Sequence, residues 1–206
     1  MVDGIGSLIS ECFYDGAIQN TAVPVPEWVE MTGLFQEQPV CWYSTELRPN
    51  RHESQQDRSY RNNCEVQQMK ALLGNLDLVL SAQNCDEKIK VLLLAPYSAQ
   101  VNAIRQSLQS IVLPSGNLSL EVNTVDAAQG READVLLFST TRSNSAGQIG
   151  FLKELSRANV ALSRARYLLA IVGDASFLSL VESPFKRVLS HIRANPGSCS
   201  VSVGER

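Results

Sequence analysis

The chain has 206 residues, of which 44% are hydrophobic and 19% are charged, a composition typical of a globular protein with one sizeable core. Its formal net charge of -3 argues against a protein that binds polyanions over its whole surface. The charge is unevenly spread: residues 1–100 hold 7 Lys/Arg and 13 Asp/Glu, whereas residues 101–206 hold 11 and 8. A local cationic site in the second half is therefore compatible with the composition.

The cysteines and histidines give no sign of a disulfide framework or a metal site. The five cysteines are odd in number and widely spaced, without a C-x-x-C pair, which favours reduced thiols. Two distant histidines are too few for a metal cluster. No apolar run approaches the roughly 20 residues that a membrane helix needs, and the first residues show no secretory pattern. We therefore expect a cytoplasmic protein, or a nuclear one if the source is eukaryotic.

The first third of the chain predicts one helix, one strand and two irregular segments. Residues 3–14 carry apolar side chains at the spacing of an amphipathic helix. The proline-bearing residues 15–39 predict a surface connection. The apolar residues 40–43 predict a short buried strand, and the polar residues 48–61 predict a mobile loop.

Strands and helices then alternate to the end of the chain. A helix is expected to open at Asn62, where Glu65 provides a capping-box-like start. Continuous apolar runs of the kind buried on both faces of a parallel sheet follow, separated by a helix and turns; they are residues 90–94, 135–138 and 168–172. Two short helices are expected after residue 177. This alternation predicts an α/β domain with a doubly wound, mainly parallel sheet.

Three polar, mostly arginine-bearing segments accompany the predicted strands: residues 95–100, 124–134 and 157–166. Ligands of α/β sheets collect at the carboxyl ends of the strands, and we expect these segments at that edge. Fixed cations there suit a phosphate ligand. However, none of the twelve glycines is followed by lysine, and there is no G-x-G-x-x-G fingerprint. The chain can therefore supply only part of a nucleotide site.

In their order and spacing, the three segments resemble motifs IV, V and VI of superfamily 1 helicases. The likeness is closest to the up-frameshift, senataxin and immunoglobulin-mu-binding branch, called superfamily 1B. It rests mainly on Val125-Asp-x-x-Gln-Gly-Arg-Glu132 and Asn159-Val-Ala-Leu-Ser-Arg-Ala-Arg166, and it covers roughly residues 5 to 180.

The resemblance implies the second RecA-like domain of such an enzyme, with helices on both faces of the sheet. Residues 40–194 would form this domain, and residues 1–14 would be a helix that joins it to the first RecA-like domain. Residues 15–39 would be a connection, and residues 195–206 a flexible tail.

The resemblance also implies an ATP-dependent helicase that travels 5′ to 3′ on DNA or RNA. The full-length enzyme would hold ATP and Mg²⁺ between its two RecA-like domains. The first domain would carry the phosphate loop and bind the Mg²⁺, so we expect this chain alone to be inactive and to bind neither. The expected partners are single-stranded DNA or RNA and the first RecA-like domain, with no membrane.

For the nucleotide, the resemblance implies residues in motifs V and VI. Arg164 matches the arginine finger, whose guanidinium stabilises charge that develops on the γ-phosphate. Arg157 lies seven residues earlier, on the same face if the segment is helical, and would support that cation. Glu132 matches a glutamate near the ribose. The residues implied in catalysis are Arg164, Gln129 and Glu132, and those implied in nucleotide binding are Gly130, Arg131, Glu132, Arg164 and Arg157.

For the nucleic acid, the resemblance and the position after strands suggest contacts to the phosphate backbone that read no sequence. The residues are Pro96, Tyr97, Gln100, Thr124, Asp126, Arg142 and Asn144. Two have plain alternatives: Tyr97 as a half-buried packing residue, and Asp126 as a helix N-cap.

One departure from the family leaves the activity of the parent protein open. Many members have Asn-Arg-x-Glu-Ala, whose arginine is a second cation for the γ-phosphate, but Asn63 stands in its place here. Arg61, two positions away, is a possible substitute. The alternatives are a degenerate helicase-like nucleic-acid-binding or scaffold module, and the helicase part of a nuclease–helicase fusion. The choice between DNA and RNA depends on contacts to the 2′-hydroxyl and stays open.

Overall fold

The computed structural model describes residues 1–21, 23–31 and 38–203. Its strands alternate with helices along most of the chain. The strands are β1 (Val40–Ser44), β2 (Ser54–Gln56), β3 (Ser59–Arg61), β4 (Ile89–Ala95), β5 (Leu118–Thr124), β6 (Ala133–Ser139), β7 (Ala165–Gly173) and β8 (Cys199–Val203). The α-helices are α1 (Asp3–Tyr14), α2 (Glu27–Met31), α3 (Asn63–Ala82), α4 (Ser98–Leu108), α5 (Leu155–Leu162), α6 (Ala175–Leu180) and α7 (Pro184–Ala194). Two 3₁₀ turns span Asp126–Ala128 and Gly150–Lys153.

Six strands form one sheet in the order β5-β4-β6-β7-β1-β8, and every neighbouring pair is parallel. The apolar runs predicted as buried strands are β4, β6 and β7, which occupy the interior of the sheet, where both faces are covered. The prediction of an α/β domain with a parallel sheet is therefore confirmed.

Helices cover both faces of this sheet. On one face, α1, α5, α6 and α7 share a core with β6 and β7, centred on residues such as Leu8, Phe138 and Phe185. On the other face, α3 and α4 pack against β4 and β6, with Met69 and Ile104 in the core. The doubly wound arrangement is thus present, with two hydrophobic layers rather than one.

Because the six strands are parallel, the sheet has two chemically distinct edges. The carboxyl edge is formed by the last residues of the strands, including Ala95, Thr124 and Ser139. The amino edge is formed by their first residues, including Ala133 and Ala165, which face each other in the register of β6 and β7.

Two segments predicted to be irregular have regular structure. Residues 48–61 contain the antiparallel hairpin of β2 and β3, with a turn at Asp57 in the left-handed region (φ 53°). The predicted flexible tail contains β8, which extends the sheet by pairing with β1. The connection at 15–39 contains α2, and the residues numbered 22 and 32–37 lie outside the described part of the chain.

The predicted opening of α3 is confirmed, since the Asn62 side chain accepts a hydrogen bond from the backbone N–H of Glu65 at 3.3 Å. Among the described residues, no helix combines the length and apolar character needed to span a bilayer. In the same part of the chain, no group of three His, Cys, Asp or Glu residues is placed to hold a metal ion.

Candidate functional site

Arg164 lies between α5 and β7 at the amino edge of the sheet, where its guanidinium is held by neutral acceptors. Its Nε donates to the Val160 carbonyl at 2.8 Å, Nη2 to the Ser163 hydroxyl at 3.1 Å, and Nη1 to the Arg131 carbonyl at 3.4 Å. The residue is partly exposed, and no described carboxylate lies within ion-pair distance of it. A positive charge is therefore fixed in place with no anionic partner in the described part of the chain.

The loop before β6 lies beside Arg164. Gln129, Gly130, Arg131 and Glu132 are all exposed. Gly130 has φ 80°, in the left-handed region that favours glycine. The Arg131 side chain forms an ion pair with Glu121, so only its carbonyl is engaged with Arg164. The structure thus brings together four of the residues assigned to the nucleotide and Gln129 as well.

The sequence predicts this cluster at the carboxyl edge of the sheet, and that prediction is wrong. Arg164 immediately precedes β7, and Glu132 immediately precedes β6, so both lie at the amino edge. The direction of the strands decides this point: a residue that leads into a parallel strand lies at its amino end.

Arg157 is not brought to Arg164. It lies in the first turn of α5, where its Nε is 3.1 Å from Asp126 Oδ1 and its Nη1 is 2.9 Å from Glu154 Oε1. Arg164 lies beyond the last residue of that helix, so the seven-residue helical spacing does not relate the two side chains. The expected pair of cations is therefore absent, and Arg157 neutralises two carboxylates instead.

A polar groove of about 680 Å³ opens at the carboxyl edge, between the β2–β3 hairpin, the first turns of α4 and the end of β5. Pro96, Thr124 and Asp126 line this polar groove, and the hairpin contributes Arg58 and Arg61. With Tyr97, four of the seven residues predicted to contact nucleic acid therefore line this groove. Asp126 is not an N-cap, because Val125 holds that position of the 3₁₀ turn, and the Asp126 carboxylate pairs with Arg157.

Gln100 is fully buried, which contradicts its predicted role as a phosphate contact. Its Nε2 donates to the Asn62 carbonyl at 3.2 Å and to the Ser139 hydroxyl at 2.9 Å, and its Oε1 accepts from the Asn62 N–H at 2.7 Å. All of the polar atoms of this amide are engaged in the interior. Its role is to tie α4 to the start of α3 and the end of β6.

The Tyr97 side chain is also buried, with 4% of its surface exposed. Its hydroxyl accepts hydrogen bonds from Arg142 Nη1 and from the Phe151 backbone N–H, both at 3.2 Å. The packing alternative is therefore the better description of this side chain. The residue still lines the polar groove, where it directly precedes α4.

The side chains of Arg142 and Asn144 are hydrogen-bonded to Glu53, a residue that the sequence pattern does not single out. Arg142 Nε and Asn144 Nδ2 each donate to Glu53 Oε1 at 2.9 Å. The Ser143 N–H donates to the other carboxylate oxygen at 2.6 Å. The guanidinium also lies 4.0 Å from the centroid of the Tyr60 ring. The buried Arg142 side chain therefore anchors the hairpin and is not a phosphate contact, whereas the role predicted for the partly exposed Asn144 stays a prediction.

Asn63 and Arg61 lie near the carboxyl edge, because the neighbouring Asn62 donates from its side chain to the Thr141 carbonyl just after β6. Arg164 lies at the opposite edge. Asn63 and Arg61 therefore lie near the other edge of the sheet from Arg164.

Glu65 is fully enclosed and accepts hydrogen bonds from four groups. They come from Ser139 Oγ at 2.6 Å, Thr141 N at 2.8 Å, Thr140 Oγ1 at 3.2 Å and Asn62 Nδ2 at 3.2 Å. Burial raises the pKa of the Glu65 carboxyl to about 8, although the hydrogen bonds to its charged form oppose the shift. Glu65 therefore links α3 to the end of β6. Its carboxyl group is protonated at pH values below its folded pKa.

We expect the free energy of unfolding to depend on pH through Glu65. The folded pKa of about 8 lies above the ordinary value of 4.5, so the folded state binds the proton more tightly between these values. The stabilising contribution is complete below the lower value and is lost as pH rises through the upper one. Between these two values, the contribution of Glu65 to the free energy of unfolding should fall by roughly 1.4 kcal/mol per pH unit.

Urea denaturation of the 206-residue chain from about pH 5.5 to about pH 7.5 measures this slope. Glu65→Gln removes the titrating group and should flatten the dependence. Glu87→Gln, at an exposed position, is the matched control and should leave it intact. An unchanged slope in Glu65→Gln would show that another group controls the pH dependence.

A family model described as an AAA domain matches residues 1–176. The chain is 33% identical over 143 residues to the DNA polymerase alpha-associated DNA helicase A of Saccharomyces cerevisiae, covering 68% of this chain and 20% of that protein. It is 32% identical over 184 residues to the putative regulator of nonsense transcripts 1 of Takifugu rubripes, covering 87% of this chain and 16% of that protein.

A crystal structure of the C-terminal domain of a possible DNA helicase from Lactobacillus plantarum is similar to this chain, with a TM-score of 0.49 and 13% sequence identity. The alignment covers 97% of this chain and 95% of that chain. The chain spans about a fifth or less of the length of the two relatives named above. The family match, by contrast, covers most of the chain, from the start of α1 to the start of α6. The chain therefore belongs to this AAA domain family.

Proposed function

We propose that this chain is the second RecA-like domain of an ATP-dependent helicase that acts on single-stranded DNA or RNA and travels 5′ to 3′. The relatives named as helicases support the proposal, and so does the polar groove. The activity belongs to the full-length protein, because this chain has no phosphate loop.

The observation that carries the proposal is the uncompensated guanidinium of Arg164. A buried or half-buried arginine normally pairs with a carboxylate, whereas this one is oriented by two carbonyls and a hydroxyl. Such an arrangement leaves the charge available to an anion that approaches the amino edge. The γ-phosphate of ATP held by another domain is the anion that the proposal assigns to it.

The residues present fit only one side of an ATP site. Arg164 would face the terminal phosphate, and the exposed Glu132 carboxylate can accept hydrogen bonds from the ribose hydroxyls. The described residues offer no carboxylate cluster for Mg²⁺, so the metal ion and the remaining phosphates would be held by the first RecA-like domain. When bound, ATP supplies the energy of phosphoryl transfer, and this chain contributes charge and orientation.

The polar groove is the proposed surface for the nucleic-acid backbone. Pro96 and Ser98 lie where α4 begins, and the N–H groups of a helix N-terminus favour phosphate oxygens. Arg58 and Arg61 add positive charge from the hairpin. The groove and Arg164 lie at opposite edges of the sheet, so nucleotide and nucleic acid would not compete for one surface. Closure and opening of the two domains around ATP would then move the strand.

The test is ATP turnover by the full-length protein that contains this chain, measured without nucleic acid, with single-stranded DNA and with single-stranded RNA. We expect turnover that at least one of the two nucleic acids stimulates. The 206-residue chain alone should show no turnover above background, because half of the site is missing.

Two outcomes contradict the proposal. A folded full-length protein without turnover under any of the three conditions supports the binding or scaffold alternative. Turnover by the 206-residue chain alone that Arg164→Ala abolishes shows that the site is complete without another domain. Cleavage of the nucleic acid in the same assay would identify the nuclease–helicase fusion.

A further inference from the structure

An aromatic row crosses the carboxyl edge beside the polar groove. Tyr60 from β3, the buried Tyr97 and Phe151 from the second 3₁₀ turn follow one another, with ring centroids 5.3 Å and 5.2 Å apart. Tyr60 is half-buried, and Phe151 has 44% of its surface exposed. The row therefore presents the exposed part of Phe151 and the half-buried Tyr60, which has the Arg142 guanidinium 4.0 Å from its ring centroid, on either side of a buried ring.

Phe151 also lies where two clefts meet. The polar groove and a second cleft of about 550 Å³ share Arg58, Tyr97 and Phe151 in their walls. Lys153 and Tyr60 line the second cleft. A flexible chain that follows the surface from one cleft to the other passes over the exposed part of the Phe151 ring.

The Phe151 ring is held in this exposed position by its neighbours. Its backbone N–H donates to the Tyr97 hydroxyl at 3.2 Å, and the Arg157 guanidinium lies 4.8 Å from its centroid. The preceding Gly150 has φ 55°, and a Cβ there would overlap the Tyr97 hydroxyl and the Arg142 guanidinium. The backbone and the ring of Phe151 are therefore both held in place where the two clefts meet.

Positive charge that the protein leaves unpaired surrounds this ring. Arg58 and Lys153 are exposed and Arg61 is partly exposed, and none has a carboxylate within ion-pair distance in the described part of the chain. Of the acidic residues in the walls of the two clefts, Asp126 and Glu154 pair with Arg157, which leaves Asp57. The surface is therefore locally cationic in an acidic chain.

We infer that Phe151 and Tyr60 contact the bases of a single-stranded nucleic acid, while Arg58 and Lys153 hold its phosphates. Aromatic rings next to cations are the usual means of binding single strands without reading sequence, because every base has an aromatic face. The bases of a duplex are already stacked and would not reach these rings. The inference rests on the proposed function and assigns base contacts to two residues outside the three motifs.

The test measures binding of labelled oligothymidylate and oligouridylate of about 20 nucleotides to the full-length protein over a series of salt concentrations. Phe151→Ala should raise the Kd roughly 5- to 150-fold without changing the slope of log K against log salt, since no charge is lost. Arg58→Ala should instead reduce that slope by about 0.7. Phe151→Trp should restore binding, because it retains an aromatic surface.

Val112→Ala is the matched control: it removes a side chain that is 83% exposed and lies outside both clefts. The inference is overturned if Phe151→Ala binds as tightly as this control, or if Phe151→Trp binds as weakly as Phe151→Ala. A blunt duplex that binds as tightly as the single strands, with the same loss in Phe151→Ala, also overturns it. Failure of the unaltered protein to bind any oligonucleotide would instead reject the proposed function.

Discussion

Replacement of Arg164 by alanine in the full-length protein is expected to reduce nucleic-acid-stimulated ATP turnover by roughly 10³-fold or more. The physical reason is that the guanidinium is preoriented at the amino edge by Val160, Ser163 and Arg131, so it can stabilise developing phosphate charge without reorganisation. Arg164→Lys should recover only a small part of the activity, because an ammonium group lacks the planar fork that these three acceptors orient. Steady-state turnover at saturating ATP measures the effect.

Arg166→Ala provides the control. Arg166 lies two residues after Arg164, is exposed, and has its guanidinium 5.1 Å from the centroid of the Tyr167 ring. We expect near-normal turnover from that variant. Binding of single-stranded nucleic acid should survive in Arg164→Ala, because the polar groove lies at the other edge. Turnover in Arg164→Ala within a few-fold of the unaltered protein would exclude an arginine finger at this position.

Removal of the Glu53 carboxylate is expected to have the largest effect on stability. Glu53 and Arg142 form an ion pair in which both side chains are about 95% buried, with exposures of 5% and 4%. Glu53→Ala leaves a buried guanidinium without its anion and should lower the free energy of unfolding by about 3–5 kcal/mol. For a chain of this size, the corresponding fall in Tm is roughly 6–20 °C.

Two further variants separate the buried pair from a general loss of charge. Glu182→Ala breaks the exposed ion pair with Lys186 and should cost at most about 1 kcal/mol. The double variant Glu53→Ala with Arg142→Met removes both charges and should be more stable than Glu53→Ala alone. If the double variant is the less stable of the two, the uncompensated guanidinium is not the cause of the loss.

The central part of the fold could be predicted because its signals are local. The apolar runs of β4, β6 and β7 and the capped start of α3 are visible without knowledge of any distant contact. The β2–β3 hairpin could not be predicted in this way. Its residues are polar, and its position depends on the hydrogen bonds of Glu53 to the segment after β6. That partnership joins residues about ninety positions apart, and no local pattern encodes it.

The candidate site was predicted unevenly for a related reason. The two segments around Arg164 carry long, specific strings that indicate a site, but the strings alone do not show at which end of the strands these residues lie. Gln100 and Arg142 were misassigned, since a polar side chain after a strand serves equally well as a ligand contact or as an interior anchor. Phe151 went unnoticed because a single aromatic residue between turns gives no periodic signal.

The last strand has a consequence for how this domain can be delimited. Because β8 covers the free side of β1, a protein that ended after α7 would expose the backbone N–H and C=O groups of a buried, apolar strand. Exposed borders of that kind recruit strands from other copies and promote self-association. The family match stops at residue 176, so a boundary placed by similarity alone would remove most of α6, all of α7 and the strand that pairs with β1.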